Sequence, residues 1–217
     1  MYLLYSNGAG PVEKKAGVQI LGKPQFAPDD KSIVFYGANT TGTGLFELHL
    51  ETLQLKMINS FVEEESGFAF APGGSRLGYI EYDRDNGEAR LLTADITTGE
   101  RTMLGTWPLP KGSGSALPEA ANLSWSPDGS FLVFDLGYFA SERAIYLARA
   151  DGGLTQIVES GYAPTISSDG RCLAYISGKQ VFLLDLADPA STPVLLADLP
   201  AGRAVADTKL DKLQWKP

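Results

Sequence analysis

One short sequence pattern recurs along this chain and limits what it can fold into. An apolar residue is followed by a Pro- or Ser-containing turn rich in Asp and Gly, and then by a strongly apolar run. Four copies begin at Phe26, Phe70, Trp125 and Ile166, and a fifth begins at Trp215. Successive first residues are 44, 55, 41 and 49 positions apart. Recurrence at this period indicates a repeat array, in which no unit buries its apolar face alone.

The copy that begins at Trp125 predicts one unit as four short antiparallel strands. In its turn, residues 126–129, Pro presets φ, Asp can bond the backbone two residues on, and Gly supplies a positive φ. The predicted strands are residues 123–125, 130–135, 144–149 and 154–158, with a hairpin signal at 151–153. The remaining copies follow the same plan.

This plan predicts an all-β fold, a β-propeller of four-stranded antiparallel blades with four complete blades and a partial blade at each end. Apolar second strands indicate sheets covered on both faces, as when blades stack around an axis. Residues 1–217 are interpreted as a single propeller domain or a segment of a larger propeller. The predicted units are 1–21 (partial), 22–60, 67–105, 121–159, 162–198 and 211–217 (partial).

The two ends leave two arrangements open. Residues 1–21 look like the third and fourth strands of a unit, and residues 213–217 look like a first strand cut off inside its turn. The ends could combine into the closing blade of a five-bladed ring, or the chain could be a segment of a longer propeller. A turn cut after its Pro favours the segment. An open array would leave blade edges that can associate with another chain.

The repeat resembles the TolB-like, WD40-like propeller repeat called PD40. The copies at Phe26 and Trp125 carry the resemblance, the copy at Ile166 is weaker, and the copy at Phe70 has Gly where the pattern has Asp. The resemblance implies a bacterial protein of the periplasm or cell envelope that binds protein partners. Similar propellers also screen substrates in prolyl-oligopeptidase-type peptidases, and the fold alone does not choose between these roles.

Charge and hydropathy narrow the classes of partner. The net charge is −8 and the pI is about 4.7, which argues against nucleic acid because phosphate binding relies on clustered Lys and Arg. No stretch of the sequence approaches the ~18 consecutive apolar residues of a membrane span. Acidity more often means only solubility, and the hypothesis for a partner is a protein or peptide with some basic character.

The residues needed for catalysis or for a resident metal are scarce. His49 is the only histidine and Cys172 the only cysteine, and no Gly-x-Ser-x-Gly motif occurs. The acidic segment 83–88 resembles part of a calcium loop, but it lacks the distal Glu and is interpreted as a hairpin tip. Asp29, Asp128 and Asp169 are interpreted as local turn formers. We therefore predict no catalytic residue, metal site or cofactor.

Recognition is the remaining role, and the irregular loops indicate where it would occur. In a meander, the loops between units and those between the second and third strands leave the sheet at the same end. Long loops on one side of a rigid array are where binding usually resides. The predicted partner-binding residues on these loops are Glu63, Glu64, Glu65, Trp107, Tyr138, Phe139 and Arg143. Trp107 could instead tuck under its own loop, and the three glutamates could be a solvated run.

The sequence thus favours a non-catalytic scaffold for protein or peptide binding. The alternative is the substrate-gating propeller of a prolyl-oligopeptidase-type serine peptidase whose catalytic domain is not in this chain. A metal-assisted polysaccharide lyase on a related propeller would need several histidines, whereas this sequence has one.

Overall fold

The structure is a computed structural model that describes residues 2–3, 12–13, 17–22, 24–60, 67–83, 86–108, 119–137, 143–188 and 190–199. Within these ranges the regular structure consists of strands joined by turns, and no helix there could cross a membrane. The strands are β1 (Tyr2–Leu3), β2 (Val12–Glu13), β3 (Gln19–Ile20), β4 (Gln25–Phe26), β5 (Ser32–Asn39), β6 (Gly42–His49), β7 (Leu55–Asn59), β8 (Phe68–Phe70), β9 (Arg76–Asp83), β10 (Glu88–Asp95), β11 (Arg101–Pro108), β12 (Glu119–Trp125), β13 (Phe131–Gly137), β14 (Ala144–Arg149), β15 (Leu154–Val158), β16 (Tyr162–Ile166), β17 (Cys172–Ser177), β18 (Gln180–Asp185) and β19 (Val194–Asp198).

The chain divides into two compact units, Met1–Glu64 and Glu65–Pro217. In the first unit β5, β6 and β7 form an antiparallel meander, and both β3 and β4 pair with the outer edge of β5. We call this sheet the first blade. Its core contains Phe35 and Phe46, whose ring centroids lie 6.1 Å apart. Strands β1 and β2 pair separately as a two-stranded sheet.

The first strand of the first blade differs from the prediction. Gln19–Ile20, which the sequence suggested would end the partial unit 1–21, pairs with β5 in the first blade. The N–H groups of Leu21 and Gly22 both donate to the carbonyl oxygen of Tyr36, at 2.9 and 3.3 Å, so the ladder is interrupted there. Pro24 has no N–H to donate to the ladder. The first strand is therefore split into β3 and β4.

The second unit contains three four-stranded antiparallel meanders. We call β8–β11 the second blade, β12–β15 the third and β16–β19 the fourth. Alternate side chains of a strand point to opposite faces of its sheet. Accordingly, Leu132 and Phe134 of β13 pack with the second blade, whereas Val133 packs with the fourth. The third blade is apolar on both faces because it lies between two others.

These sheets confirm the predicted all-β class of four-stranded antiparallel blades. Several strands run further than the turn residues suggested. Strand β11 reaches Pro108 and β12 begins at Glu119, so residues 106–108 and 119–120, which lie between the predicted units 67–105 and 121–159, are strand. Cross-strand pairing explains the extension, because Trp107 and Pro108 pair with Ala89 and Glu88 of β10.

The last described strand is unlike the other fourth strands. All five residues of β19 are exposed, including Val194 at 59%, Leu195 at 48% and Leu196 at 53%. In the third blade, by contrast, Leu154 and Ile157 of β15 pack against neighbouring clusters.

Candidate functional site

Within the second unit, the strand pairings show which connections leave from the same end of the sheets. Glu88 pairs with both Asp83 and Pro108, and Glu119 pairs with Gly137, so the segments 84–87, 109–118 and 138–143 all leave from the same end of their sheets. We call this the loop-bearing end. The links between first and second strands, such as residues 126–130 and 167–171, leave from the other end, which we call the turn end.

The turns at the turn end are built by their own side chains. Asp128 Oδ1 accepts hydrogen bonds from the hydroxyl of Ser126 at 2.7 Å and from the backbone N–H of Ser130 at 3.0 Å. Asp169 repeats the arrangement with the hydroxyl of Ser167 at 2.6 Å. The Ser126 bond and then the Ser130 bonds lower the pKa of Asp128 to about 2. The interpretation of these aspartates as local turn formers is confirmed.

A buried acidic residue, Asp135, stands beneath the loop-bearing end. Its side chain is fully buried, two residues before the end of β13. Oδ1 accepts a hydrogen bond from Nε of Arg143 at 2.6 Å. Oδ2 accepts two more, from Nδ2 of Asn122 and from the backbone N–H of Ala163, each at 2.8 Å. Ala163 belongs to the fourth blade, so this carboxylate connects two blades.

Two of the donors to Asp135 have unusual backbone conformations. Asn122 has φ 54° and Ala163 has φ 52°, in the left-handed region that residues other than Gly rarely adopt. Each lies where the register of its strand pair shifts, as at a β-bulge. The two positions are equivalent in the repeat, because each precedes the first residue of its copy, Trp125 or Ile166, by three.

The electrostatics of Asp135 combine opposing effects. Burial raises its pKa, because the charged form loses its water. The positive charge of Arg143 and the donors on Asn122 and Ala163 act in the opposite direction. Arg143 is itself only 8% exposed, so the two charges are held together out of solvent. Removing one of them would leave the other buried without its counter-charge.

Sequence reasoning did not single out Asp135 or Asn122, although the repeat contained a signal. Asp135 lies ten residues after Trp125, and the same position of the other copies holds Tyr36, Ile80 and Ile176. An acidic residue at a position that is otherwise apolar or aromatic marks a buried charge that needs partners.

Trp107 lies in a strand and not in a loop. Its ring centroid is 5.6 Å from that of Phe134 in the third blade, and Phe134 in turn stacks on Tyr146 at 5.6 Å. Nε1 of Trp107 is buried and has no hydrogen-bond partner among the described residues. The indole is therefore positioned mainly for packing between the second and third blades.

Of the other predicted partner-binding residues, only Arg143 lies within the described ranges. Its side chain points into the blade contact, so it supports the loop-bearing end from below. Its carbonyl oxygen also accepts the N–H of Gly161 at 2.8 Å. Glu63, Glu64, Glu65, Tyr138 and Phe139 lie outside the described residues.

The segment interpreted as a hairpin tip has its described carboxylates paired. Asp83 accepts hydrogen bonds from the backbone and side chain of Asn86, and this contact, more than the charge of Arg90, lowers its pKa. Arg90 also contacts Asp83 Oδ2 at 2.6 Å and Glu88 Oε1 at 2.5 Å. These carboxylates are therefore partners of an arginine on their own sheet. Arg84 and Asp85 of this segment lie outside the described residues.

The imidazole of His49 takes part in a turn. It lies at the end of β6, and its Nδ1 accepts a hydrogen bond from the backbone N–H of Thr52 at 3.3 Å. This contact orders the link between β6 and β7. It gives the side chain a local structural role.

Comparison with known proteins identifies the fold. No family model matches the sequence. TolB from Acinetobacter baumannii is 17% identical with a TM-score of 0.57, over 89% of this chain and 47% of that one. Putative TolB from Agrobacterium tumefaciens is 18% identical with a TM-score of 0.57, over 80% and 64%. A prolyl endopeptidase structure is 14% identical with a TM-score of 0.55, over 84% and 30%.

At these identities the similarity establishes a TolB-like β-propeller fold and does not assign an activity. The chain spans about half of the first TolB structure and less than two thirds of the second, at 47% and 64% of their lengths.

Proposed function

We propose that this chain is a non-catalytic propeller module that binds a protein or peptide through the loop-bearing end of its second unit. The contrast between the two ends of the blades carries this proposal. The links between first and second strands follow one plan, with five residues each at 71–75, 126–130 and 167–171, whereas the segments 84–87, 109–118 and 138–143 differ in length and sequence. Variable segments on a rigid scaffold are where binding usually resides, since the scaffold tolerates their change.

The support beneath these segments is rigid. Asp135 and Arg143 are buried and bonded at 2.6 Å, and Trp107 is stacked on Phe134 of the neighbouring blade. Residues that are already held in place lose less conformational freedom on association, so the free-energy cost of ordering the binding surface is smaller. In this proposal Trp107 and Arg143 hold the end in place, while Tyr138 and Phe139 make the contact.

The chemistry of the partner follows from charge and residue type. A net charge of −8 favours association with a basic protein or peptide through complementary potentials. Tyr and Phe supply large apolar contact area at little side-chain entropy cost. The run of Glu63, Glu64 and Glu65 is a separate proposal for a contact with basic residues.

The proposal is tested by selecting binders from a peptide library of varied charge displayed on phage. We expect enrichment of basic peptides, and we expect the double substitution Tyr138→Ala, Phe139→Ala to weaken their binding about tenfold or more. Phe26→Ala is the matched control, because Phe26 is an aromatic residue that is 64% exposed beside a short turn. Full binding by a folded double variant would refute the proposed contact.

The propeller of a prolyl-oligopeptidase-type peptidase is the second candidate, and similarity to a prolyl endopeptidase structure favours it. In that case the propeller would filter substrates for a hydrolase domain outside this sequence. The full-length natural protein would then react with a fluorophosphonate probe of active-site serines. Absence of labelling, with a known serine hydrolase labelled in parallel, would exclude this candidate.

A further inference from the structure

Asp135 accepts hydrogen bonds from three residues that lie in, or directly before, three different strands. Asn122 lies in β12, Arg143 directly precedes β14, and Ala163 lies in β16 of the neighbouring blade. All three donate to the one buried carboxylate, at 2.6 Å from Arg143 and 2.8 Å from the others. Arg143 extends the group, because its carbonyl oxygen accepts the N–H of Gly161 in the segment that leads into β16.

We infer that Asp135 and Arg143 form an inter-blade clamp that makes these three elements move as one unit. The reason is the shared acceptor. If one donor leaves, the remaining buried groups lose a hydrogen bond that offsets the free-energy cost of their burial. Water does not readily replace that hydrogen bond in a buried site. A displacement at the entrance to β14 is therefore transmitted to the fourth blade through the carboxylate. This conformational coupling goes beyond the proposed binding role and does not depend on it.

The contact between the second and third blades provides an internal comparison. The position equivalent to Asp135 in the second blade is Ile80, which cannot accept hydrogen bonds through its side chain. The polar contacts across that boundary include the N–H of Ala120 donating to the hydroxyl of Tyr82 at 3.3 Å and Nε1 of Trp125 donating to the carbonyl oxygen of Ala69 at 3.1 Å. These two contacts do not share an acceptor. The inferred coupling thus belongs to the third and fourth blades.

Native-state hydrogen exchange of the whole chain, followed by NMR, tests the clamp. The variants are Asp135→Asn, which changes the shared acceptor, and Arg143→Gln, which leaves the acceptor of the Ala163 amide in place. We expect exchange at the amides of Ala163 and Gly161 to become about tenfold faster or more in both variants. Asp128→Asn is the matched control, because it alters an aspartate of the same blade at the turn end.

A general loss of stability is separated from the clamp by the β17–β18 ladder. Its amides, for example that of Leu173 paired with Leu184, should exchange faster only by the factor that the loss of global stability in urea unfolding accounts for, so a larger acceleration at Ala163 reports local opening. Unchanged exchange at Ala163 in folded Arg143→Gln would show that the three hydrogen bonds to Asp135 are independent of one another, and the inference would be wrong. If either variant does not fold, Asn122→Gly replaces it. Glycine adopts the left-handed backbone conformation without strain, and the substitution removes one hydrogen-bond donor to Asp135. Unchanged exchange at Ala163 in this variant would again overturn the clamp.

Discussion

The indole of Trp107 and the ring of Phe134 lie 5.6 Å apart across the boundary between the second and third blades. The two residues come from an outer strand of one blade and a central strand of the next. Phe134 is fully buried, and its other neighbour is Tyr146, so three aromatic rings form a continuous stack. The stack stabilises the blade contact that carries the loop-bearing end.

Truncation of Trp107 should destabilise the fold. We expect Trp107→Ala to lower the free energy of unfolding by about 3 kcal/mol, near the low end for large aromatic truncations because the ring is only partly buried. Trp107→Phe should cost much less, since it keeps a stacked ring and removes an N–H that lacks a partner. Urea unfolding measures both. Met103→Ala, at a 57% exposed position of the same strand, should change little.

Comparison of the repeat copies predicts a substitution that stabilises the turn of the second copy. Gly73 stands where Asp29, Asp128 and Asp169 accept a backbone N–H two residues on, and a Cβ there would meet no atom within 4 Å. Gly73→Asp should therefore raise the free energy of unfolding by about 0.5–1 kcal/mol through a less flexible unfolded chain and a new hydrogen bond. Thermal unfolding measures the gain.

The neighbouring glycine gives the control for this substitution. Gly74 has φ 73°, a conformation that a residue with a Cβ rarely adopts. Gly74→Asp should lower the melting temperature, and a gain at position 74 with no gain at position 73 would contradict the turn geometry.

Acid should weaken the turn that Asp128 holds. Its folded-state pKa of about 2 lies below the ordinary value of 3.8, so the ionised form is favoured by folding. This contribution is fully present above about pH 4, the unfolded pKa, and it is lost as the pH falls through about 2. Stability of Asp128→Asn should therefore fall less steeply than that of wild type between pH 4 and pH 2, as measured by urea unfolding at each pH. Parallel curves would contradict this origin of the shift.

Loss of one member of the buried pair Asp135 and Arg143 should lower the free energy of unfolding more than loss of both members. Asp135→Ala leaves the guanidinium of Arg143 buried without its counter-charge, and we expect a cost of about 3–5 kcal/mol. Adding Arg143→Met to Asp135→Ala should recover part of that loss, because a neutral side chain of similar length then fills the site. Chemical unfolding of the single and double variants gives the comparison, and a double variant weaker than the single one would argue against a charge effect.

Local sequence signals were sufficient for the repeated parts of this protein. The four copies of the turn predicted the order of strands in each blade, because Pro, Asp and Gly act on the backbone within a few residues of themselves. The hydrogen bonds of Asp128 and Asp169 match that interpretation.

The environment of Asp135 and the partner of Trp107 were decided by tertiary structure. Asp135 meets Ala163 across 28 residues of sequence, and Trp107 meets a ring of another blade. Such contacts depend on how neighbouring sheets stack, and no local propensity encodes them. The sequence by itself determined the order of the strands, the turns between first and second strands and the repeated blade, because these arise from interactions between residues close along the chain. Only the folded chain decided which partners the buried carboxylate meets and which aromatic ring is covered, because these contacts join residues that are distant in sequence.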